Sequence, residues 1–326
     1  MSVRHRIAVP VLAAALGLTL TGCGTSESGS SSASSSSGSS SVADASALDK
    51  AKVSGGEAEV APAVTLGTKP LSVGETTTKV LKEGTGTAST TKDVVLVKYV
   101  LLNGTDGALI NDNYAADPVG FLMSDGELIA GLRTALTGVK PGSRLLVAMP
   151  PKDAFGAQGN ADIKVAPTDT VVFLFDVIKM MRPLPVADGA AVKAKDGLPT
   201  VKFNDGKPAT FTMPKDDAPT KLVVQPLIEG TGAKVAEGQS VIVSYTGALW
   251  RNGEVFDSSF NRSGTFTFKV GAKEVISGWD KGVAGATIGS RLLLIVPPSE
   301  GYGEEGSGDI KGTDTIVFVV DVLGAY

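Results

Sequence analysis

The sequence predicts an α+β protein that contains two tandem copies of one domain, and three observations support this fold class. Short motifs of the first half recur in the second half, in the same order and at an offset of about 146 residues. Runs of alternating β-branched residues between Gly and Asn turns predict several strands. A single stretch with helical spacing predicts one short helix packed against a sheet.

The repeated motifs keep both their order and their spacing, so chance does not explain them. They pair 80–86 with 226–232, 94–100 with 240–246, 127–131 with 274–278, 142–146 with 289–293 and 168–173 with 313–318. A weaker similarity between 62–66 and 199–203 predicts an additional strand at the start of each copy. Pro, Ala, Asp, Lys and Gly dominate 183–197, which predicts a linker between domains at 60–182 and 198–326.

The elements of the second copy follow from two periodicities. Alternating β-branched runs predict strands at 241–245, 265–270, 291–296 and 315–322. The helix is predicted where apolar residues recur at helical spacing, and Gly285 lies near its expected end. These apolar residues are Val275, Ile276, Trp279 and Val283.

The N-terminus has the features of an export signal. Two arginines, Arg4 and Arg6, precede an apolar run at 7–20 that is too short to span a bilayer comfortably. The run ends in Leu-Thr-Gly-Cys at Cys23, which resembles the bacterial lipobox and predicts a signal peptide at 1–22 and a palmitate-type acyl anchor on Cys23. The alternative is an ordinary secretory signal in which this cysteine is incidental. Ser and Gly then predominate, which predicts a flexible tether over 23–59.

Composition excludes several kinds of chemistry. The only histidine is His5 and the only cysteine is Cys23, so removal of the signal leaves no imidazole and no free thiol. Catalytic triads, Cys–His dyads and zinc sites with His or Cys ligands are then excluded, and we expect neither cofactor nor metal. A net charge of −4 gives no basic footprint for nucleic acid.

The ordered motifs of the second copy resemble one family. They lie at 243–247, 256–259, 266–268, 274–279, 301–303 and 316–318. Together they resemble the FKBP-type peptidyl-prolyl cis–trans isomerases over nearly all of 215–326. The resemblance implies tandem FKBP-like domains, each an antiparallel sheet wrapped around one short helix with an apolar pocket between them. The loop after Tyr302 departs from the family, because it is rich in Gly and acid and ends at Ile310-Lys311-Gly312.

The resemblance also implies site residues. As the catalytic set it gives Tyr245, Asp257, Ile276, Trp279 and Tyr302. As the substrate-binding set it gives Phe256, Phe266, Val275, Ile310 and Phe318. In this interpretation Trp279 is the pocket floor, the Ile276 backbone N–H binds the ligand carbonyl, and Asp257 is a polar acceptor behind Tyr245. Macrolide inhibitors of the family are expected ligands.

The first copy has lost much of this set. Tyr99 is retained at the position of Tyr245, while Asn111 replaces Asp257 and Leu132 replaces Trp279. Other replacements are Ile110 for Phe256, Val119 for Phe266 and Phe155 for Tyr302. We therefore expect residues 60–182 to be weak or inactive as an isomerase, and either to bind unfolded client chains or to space the second domain from the membrane.

Two functions remain open from the sequence. The first is an isomerase that assists the folding of exported polypeptides, acting on Xaa-Pro bonds at the outer face of the cytoplasmic membrane. The second is a non-enzymatic, chaperone-like surface lipoprotein that binds peptides or a partner in the same pockets. The aromatic residues and Asp257 of the second copy favour the enzyme, because isomerisation requires a shaped pocket and no nucleophile.

Replacement of the lipobox cysteine tests the anchor. Cys23→Ser should give a protein without acyl chains that leaves the membrane fraction, because each buried CH₂ of an acyl chain contributes about 0.8 kcal/mol to membrane binding. The measurement is fractionation followed by mass spectrometry of the N-terminal peptide. Retention of the variant in the membrane with an acyl mass would contradict the prediction.

Overall fold

The computed structural model of the protein describes residues 45–56, 59–204 and 206–326. The predicted signal peptide at 1–22 and the predicted lipidation site Cys23 lie outside these residues. Both α-helices of the described part are short, and neither is long and apolar enough to cross a membrane.

The first domain is built on a six-stranded antiparallel sheet in the order β3-β7-β8-β4-β5, with β6 also paired to β4. One short helix, α1 at Ala130–Leu136, accompanies it. A separate hairpin pairs β1 with β2. The strands are β1 Lys52–Ser54, β2 Ala63–Thr65, β3 Thr77–Lys82, β4 Val94–Asn103, β5 Leu109–Asp112, β6 Val119–Leu122, β7 Arg144–Met149 and β8 Val171–Met181.

The second domain repeats this arrangement. Its seven-stranded sheet has the order β14-β13-β17-β16-β12-β9, with β15 paired to β13, and a second hairpin pairs β10 with β11. Its helix is α2 at Ser277–Val283. The strands are β9 Gly189–Ala191, β10 Thr200–Asn204, β11 Lys207–Thr212, β12 Val223–Gly230, β13 Ser240–Leu249, β14 Val255–Ser258, β15 Phe266–Lys269, β16 Arg291–Val296 and β17 Ile316–Ala325.

The predicted α+β class and the duplication are confirmed, since both copies fold as an antiparallel sheet with one short helix. The helix of the second domain begins at Ser277, two positions after the predicted apolar spacing starts at Val275. Single turns of 3₁₀ helix complete the described chain. They lie at Ala45–Leu48, Pro151–Asp153, Gly156–Gln158, Ala161–Ile163, Ser259–Asn261 and Pro298–Glu300.

Strand alternation places the core of each domain. Along β13, Val241, Val243 and Tyr245 belong to the apolar cluster that contains the α2 residue Trp279. Ile242 belongs to a different cluster, as expected for side chains that alternate between the two faces of a sheet. Each sheet is therefore buried on both faces, which explains the nearly continuous apolar runs of its central strands.

The two hairpins cover the sheet faces opposite the helices. In the first domain Val53 and Val64 of the hairpin pack against the cluster that contains Leu146 and Leu174. In the second domain Val201 and other residues of the hairpin region form a cluster with Trp250, Leu293, Ile295 and Val317. The extra strand predicted for each copy is thus present, but it is half of a hairpin and does not join the main sheet.

An arginine–aspartate pair recurs at the same place in both copies. Arg144 binds Asp176 through Nε and Nη2 at 2.7 Å each, and Arg291 binds Asp321 at 2.5 and 2.7 Å. The Arg291 guanidinium also lies 3.7 Å from the ring centroid of Phe203 in the hairpin. The two hydrogen bonds to Asp321 fix the position of the Arg291 guanidinium, and the Phe203 ring packs against it.

Two predicted boundaries need correction. The tether expected over 23–59 includes an ordered segment at its C-terminal end, because Leu48 is fully buried against the first sheet. The linker expected at 183–197 includes β9, which extends the second sheet beside β12. Leu184, which also lies in the predicted linker, donates its backbone N–H to the Leu323 carbonyl at 2.9 Å. Both segments are short and lack periodicity, so only their long-range contacts reveal them.

An apolar contact joins the two domains. Val94 and Leu96 of β4 form one buried cluster with Ile242 and Leu323 of the second domain. Tyr326 packs against the same cluster, and its hydroxyl donates to the Gly120 carbonyl at 3.3 Å. The two sheets therefore contact each other near β6 and the end of β17.

Truncation of Leu48 tests the ordered N-terminal segment. Leu48→Ala should lower the free energy of unfolding of the first domain by about 2–5 kcal/mol, since it removes a fully buried side chain. Urea denaturation followed by circular dichroism measures the change. Leu109→Ala is the matched control, because Leu109 is 59% exposed and should change stability little. Equal stability of both variants would show that Leu48 belongs to the tether.

Candidate functional site

The indole of Trp279 on α2, the predicted pocket floor, lies at the centre of an aromatic cluster. Only 4% of this residue is exposed. Its ring centroid lies 5.0 Å from that of Tyr245 at 89°, and 5.2 Å from that of Phe318 at 88°. These edge-to-face contacts are the geometry that aromatic quadrupoles favour. They bring together a helix residue and residues from β13 and β17, as the resemblance implied.

The walls are two less buried rings. Phe266 of β15 lies 6.1 Å from Trp279 and 6.0 Å from Tyr245, and Phe256 of β14 lies 5.6 Å from Phe318. Gly247 leaves the space that allows the rings of Phe256 and Phe318 to approach each other. A Cβ at Gly247 would lie 2.6 Å from the Phe318 ring and 2.8 Å from the Phe256 ring, so any other residue would push these walls apart.

Two buried serines hold the polar end of the site. The Ser259 hydroxyl accepts the Tyr245 N–H at 3.0 Å, and the Ser258 hydroxyl donates to the Tyr245 carbonyl at 2.8 Å. Both serines directly follow Asp257. They therefore fix the start of the turn after β14 against the backbone of Tyr245, which brings Asp257 beside the Tyr245 ring.

Tyr245, Asp257 and Arg262 form a closed polar triangle. The Tyr245 hydroxyl donates to Asp257 Oδ2, Arg262 Nη2 donates to the same hydroxyl at 2.6 Å, and Arg262 Nη1 lies 3.0 Å from Asp257 Oδ1. Sequence reasoning missed Arg262. The signal that was available is its position five residues after Asp257, in the turn that the serines define.

Each group in this triangle changes the others' pKa values. Burial, and then the hydrogen bond to Asp257, raise the pKa of Tyr245 far above its usual range. Burial by itself would raise the pKa of Asp257, but hydrogen bonds from Tyr245 and Arg262 outweigh it, so this pKa is lowered. Tyr245 is therefore a neutral donor and Asp257 an ionised acceptor across the physiological pH range.

A backbone donor lies where the helix begins. Ile276 is the N-cap of α2, with φ −60° and ψ 148°. Its carbonyl accepts the Trp279 N–H at 2.9 Å, while its own N–H makes no hydrogen bond to any described residue. This N–H is available to a ligand carbonyl. The neighbouring Val275 is half-buried and packs against the same apolar cluster as Trp279.

The rim is formed by the loop after β16. Tyr302 is 40% exposed, and burial of the rest of its ring, followed by the charge of Asp257, raises its pKa. Ile310 is buried in the same cluster as Trp279, and it closes the acidic loop through a bridge to Ser307. The structure thus brings eight of the ten predicted site residues into one apolar cluster, with Asp257 bonded to its member Tyr245 and Tyr302 within reach of the charge of Asp257.

The equivalent place in the first domain is apolar and lacks the acid. Asn111 Nδ2 donates to the Tyr99 hydroxyl at 3.1 Å, where the second domain has a carboxylate acceptor. Tyr99 and Phe173 keep an edge-to-face contact at 5.9 Å. Leu132 and Phe155 line a cavity of about 690 Å³ there. The pocket persists, while the indole and the rim hydroxyl are absent.

The fold of each domain is an antiparallel sheet with one short helix, and in the second domain an aromatic cluster lies between them. The family model described as FKBP-type peptidyl-prolyl cis-trans isomerase matches residues 85–178 and 232–323, one segment in each domain. These two segments cover more than half of the chain. The chain therefore belongs to the FKBP-type peptidyl-prolyl cis–trans isomerase family.

Three relatives illustrate the similarity. An FK506-binding protein of Streptomyces anulatus is 39% identical over 127 residues, which are 38% of this chain and 94% of that protein. A probable FK506-binding protein of Corynebacterium glutamicum is 39% identical over 113 residues, 35% of this chain and 94% of the relative. The mouse peptidyl-prolyl cis-trans isomerase FKBP10 is 29% identical over 225 residues, 68% of this chain and 33% of that protein.

Neutralisation of the acid tests the polar triangle. Asp257→Asn should lower the pKa of Tyr245, because it replaces a charged acceptor that raises this pKa with a neutral, weaker one while Arg262 remains. Burial of the ring is unchanged, so the pKa should stay above that of a free tyrosine. NMR titration of ¹³C-labelled tyrosines measures the shift, and Tyr245→Phe identifies the signal. An unchanged titration would exclude the contact with Asp257.

Proposed function

We propose that the second domain catalyses cis–trans isomerisation of Xaa-Pro peptide bonds in the pocket above Trp279. The observation that supports this most directly is the set of edge-to-face rings around the Trp279 indole, together with the free N–H of Ile276 beside it. A flat apolar floor suits a proline ring, and the backbone donor suits the carbonyl of the same peptide.

Isomerisation of an Xaa-Pro bond requires no reactive group in the site. Rotation about an Xaa-Pro bond is opposed by a barrier of about 18–20 kcal/mol that arises from partial double-bond character. No covalent bond is made or broken, so neither nucleophile nor metal is required. A thousandfold acceleration needs only about 4 kcal/mol of differential stabilisation of the twisted state.

The proposed residues supply this stabilisation in two ways. Transfer of the amide from water to the space between Trp279 and the half-buried rings disfavours its charge-separated resonance form, which is the planar form. The Ile276 N–H holds the carbonyl of the preceding residue, and the Tyr302 hydroxyl stands at the rim as a second donor. Asp257 and Arg262 act through Tyr245, whose ring they fix against the indole.

The substrates we propose are exported polypeptides at the outer face of the cytoplasmic membrane. Acylated Cys23 would hold the protein there, and the segment between Cys23 and Ala45 would allow it to reach chains that emerge from the membrane. Relatives of this chain are named as FK506-binding proteins. We therefore include macrolides of that class among the ligands that compete for the pocket.

Replacement of the floor tests the function. Trp279→Leu, which copies the first domain, should lower kcat/KM at least tenfold in a protease-coupled assay on a proline tetrapeptide, equivalent to about 1.4 kcal/mol of transition-state stabilisation. Trp250→Leu is the matched control. It removes an indole that is similarly buried but lies on the opposite face of the sheet, so activity per folded molecule should persist.

The same assay separates the two functions that the sequence leaves open. If the unaltered chain binds a proline peptide but does not accelerate its isomerisation, the protein is a binding lipoprotein. If the unaltered chain is active and Trp279→Leu retains that activity in full, the pocket above Trp279 is not the catalytic site.

A further inference from the structure

The cavity of the first domain receives a wall from the second domain. Its floor and sides are apolar and include Leu132, Val119, Phe121 and Phe173. Thr267 and Tyr326 of the second domain also line it. At about 690 Å³ it falls within the range of about 300–1,000 Å³ that is usual for ligand sites. The aromatic cluster around Trp279 is formed within the second domain alone, whereas this cavity is completed between the two domains.

The position of Tyr326 is fixed by its backbone and by a glycine. Its N–H and carbonyl exchange hydrogen bonds with Ser240 at 2.9 Å each. A Cβ at Gly120 would lie 2.2 Å from Tyr326 Cε2, so a larger residue there would displace the tyrosine ring from β6. Gly120 has no positive φ, which means that the close approach alone requires it. The wall that Tyr326 provides is therefore a closely packed contact between the two domains.

The entrance of the cavity is acidic. Asp125, Glu127 and Asp162 all line it, and none of the three side chains forms an ion pair with a described Lys or Arg. The Arg133 guanidinium donates to the Asp125 backbone carbonyl, so these four side chains together keep an excess of negative charge. An acyl chain with a carboxylate or phosphate head would bring like charge to this entrance, which is unfavourable. A segment with cationic side chains next to an apolar group is favoured by the same field.

The floor differs in composition from the equivalent place in the second domain and has no acid–tyrosine pair. Leu132 occupies the place of an indole, and Phe155 replaces the rim hydroxyl of Tyr302. The Tyr99 hydroxyl is already engaged by Asn111 at 3.1 Å. Such a pocket suits a side chain larger than proline. It lacks the polar groups that would bind the twisted amide of an Xaa-Pro bond.

From these observations we infer that the first-domain cavity, completed by Tyr326, is a second peptide site. It binds one bulky apolar side chain, such as phenylalanine or leucine, that is flanked by lysine or arginine, and it does so without isomerising the chain. Unfolded exported chains carry such clusters independently of proline. The site would retain a client near the second domain and raise its effective concentration there. This inference does not depend on isomerase activity.

A fluorescent probe tests the site on the full chain. The probe is a labelled pentapeptide with a central phenylalanine, two lysines beside it and no proline, and fluorescence anisotropy reports binding. We expect saturable binding that weakens at least tenfold in Leu132→Trp, which fills the floor, and in Tyr326→Ala, which removes the shared wall. A peptide with glutamates in place of the lysines should bind at least tenfold more weakly.

The controls separate this site from the isomerase. Trp279→Leu should leave probe binding unchanged, and Leu132→Trp should leave isomerase activity unchanged, which also shows that the variant is folded. If Leu132→Trp does not fold, the exposed pair Glu127→Gln and Asp162→Asn replaces it and should weaken binding of the lysine probe. Absence of binding at about 1 mM, equal binding of the glutamate peptide, or loss of binding only in Trp279→Leu would overturn the inference.

Discussion

The edge-to-face packing of Trp279 on the sheet is the interaction on which the second domain most depends. Helix α2 has seven residues, too few to be stable alone, so its position is set by what it packs against. Two glycines bring it close. A Cβ at Gly278 would lie 2.6 Å from Val296 Cγ1, and one at Gly282 would lie 2.9 Å from Leu294 Cδ2. The indole that anchors the helix is also the floor of the site, so helix docking and pocket shape are determined by one contact.

The first domain shows that the fold does not require this indole. Gly131 allows helix α1 to lie close to β7, since a Cβ added at this position would lie 2.6 Å from Met149 Sδ. Leu132 is buried in the first core as Trp279 is in the second. Helix α1 therefore packs on its sheet with a leucine where α2 has an indole. The smaller side chain leaves volume that contributes to the first-domain cavity. The two domains therefore share one framework and differ at the site.

Sequence patterns predicted the elements whose burial is periodic. The strand predicted at 291–296 coincides with β16, and the ordered motifs contain the aromatic residues that cluster around Trp279. The patterns did not predict features that depend on partners distant in the chain. Arg262 gains its role only when the turn folds against Tyr245, and Tyr326 gains its role only when the domains meet. Short, exposed segments such as β9 also carry no periodic signal.

Strand alternation places the two pockets close together. Phe266 of β15 is a wall of the second pocket, while its neighbour Thr267 lines the first-domain cavity. Successive side chains of a strand point to opposite faces, so a single strand serves both sites. A shift of β15 that changes the distance between Phe266 and Trp279 must also move Thr267. One strand of four residues thus supplies a side chain to each of the two sites.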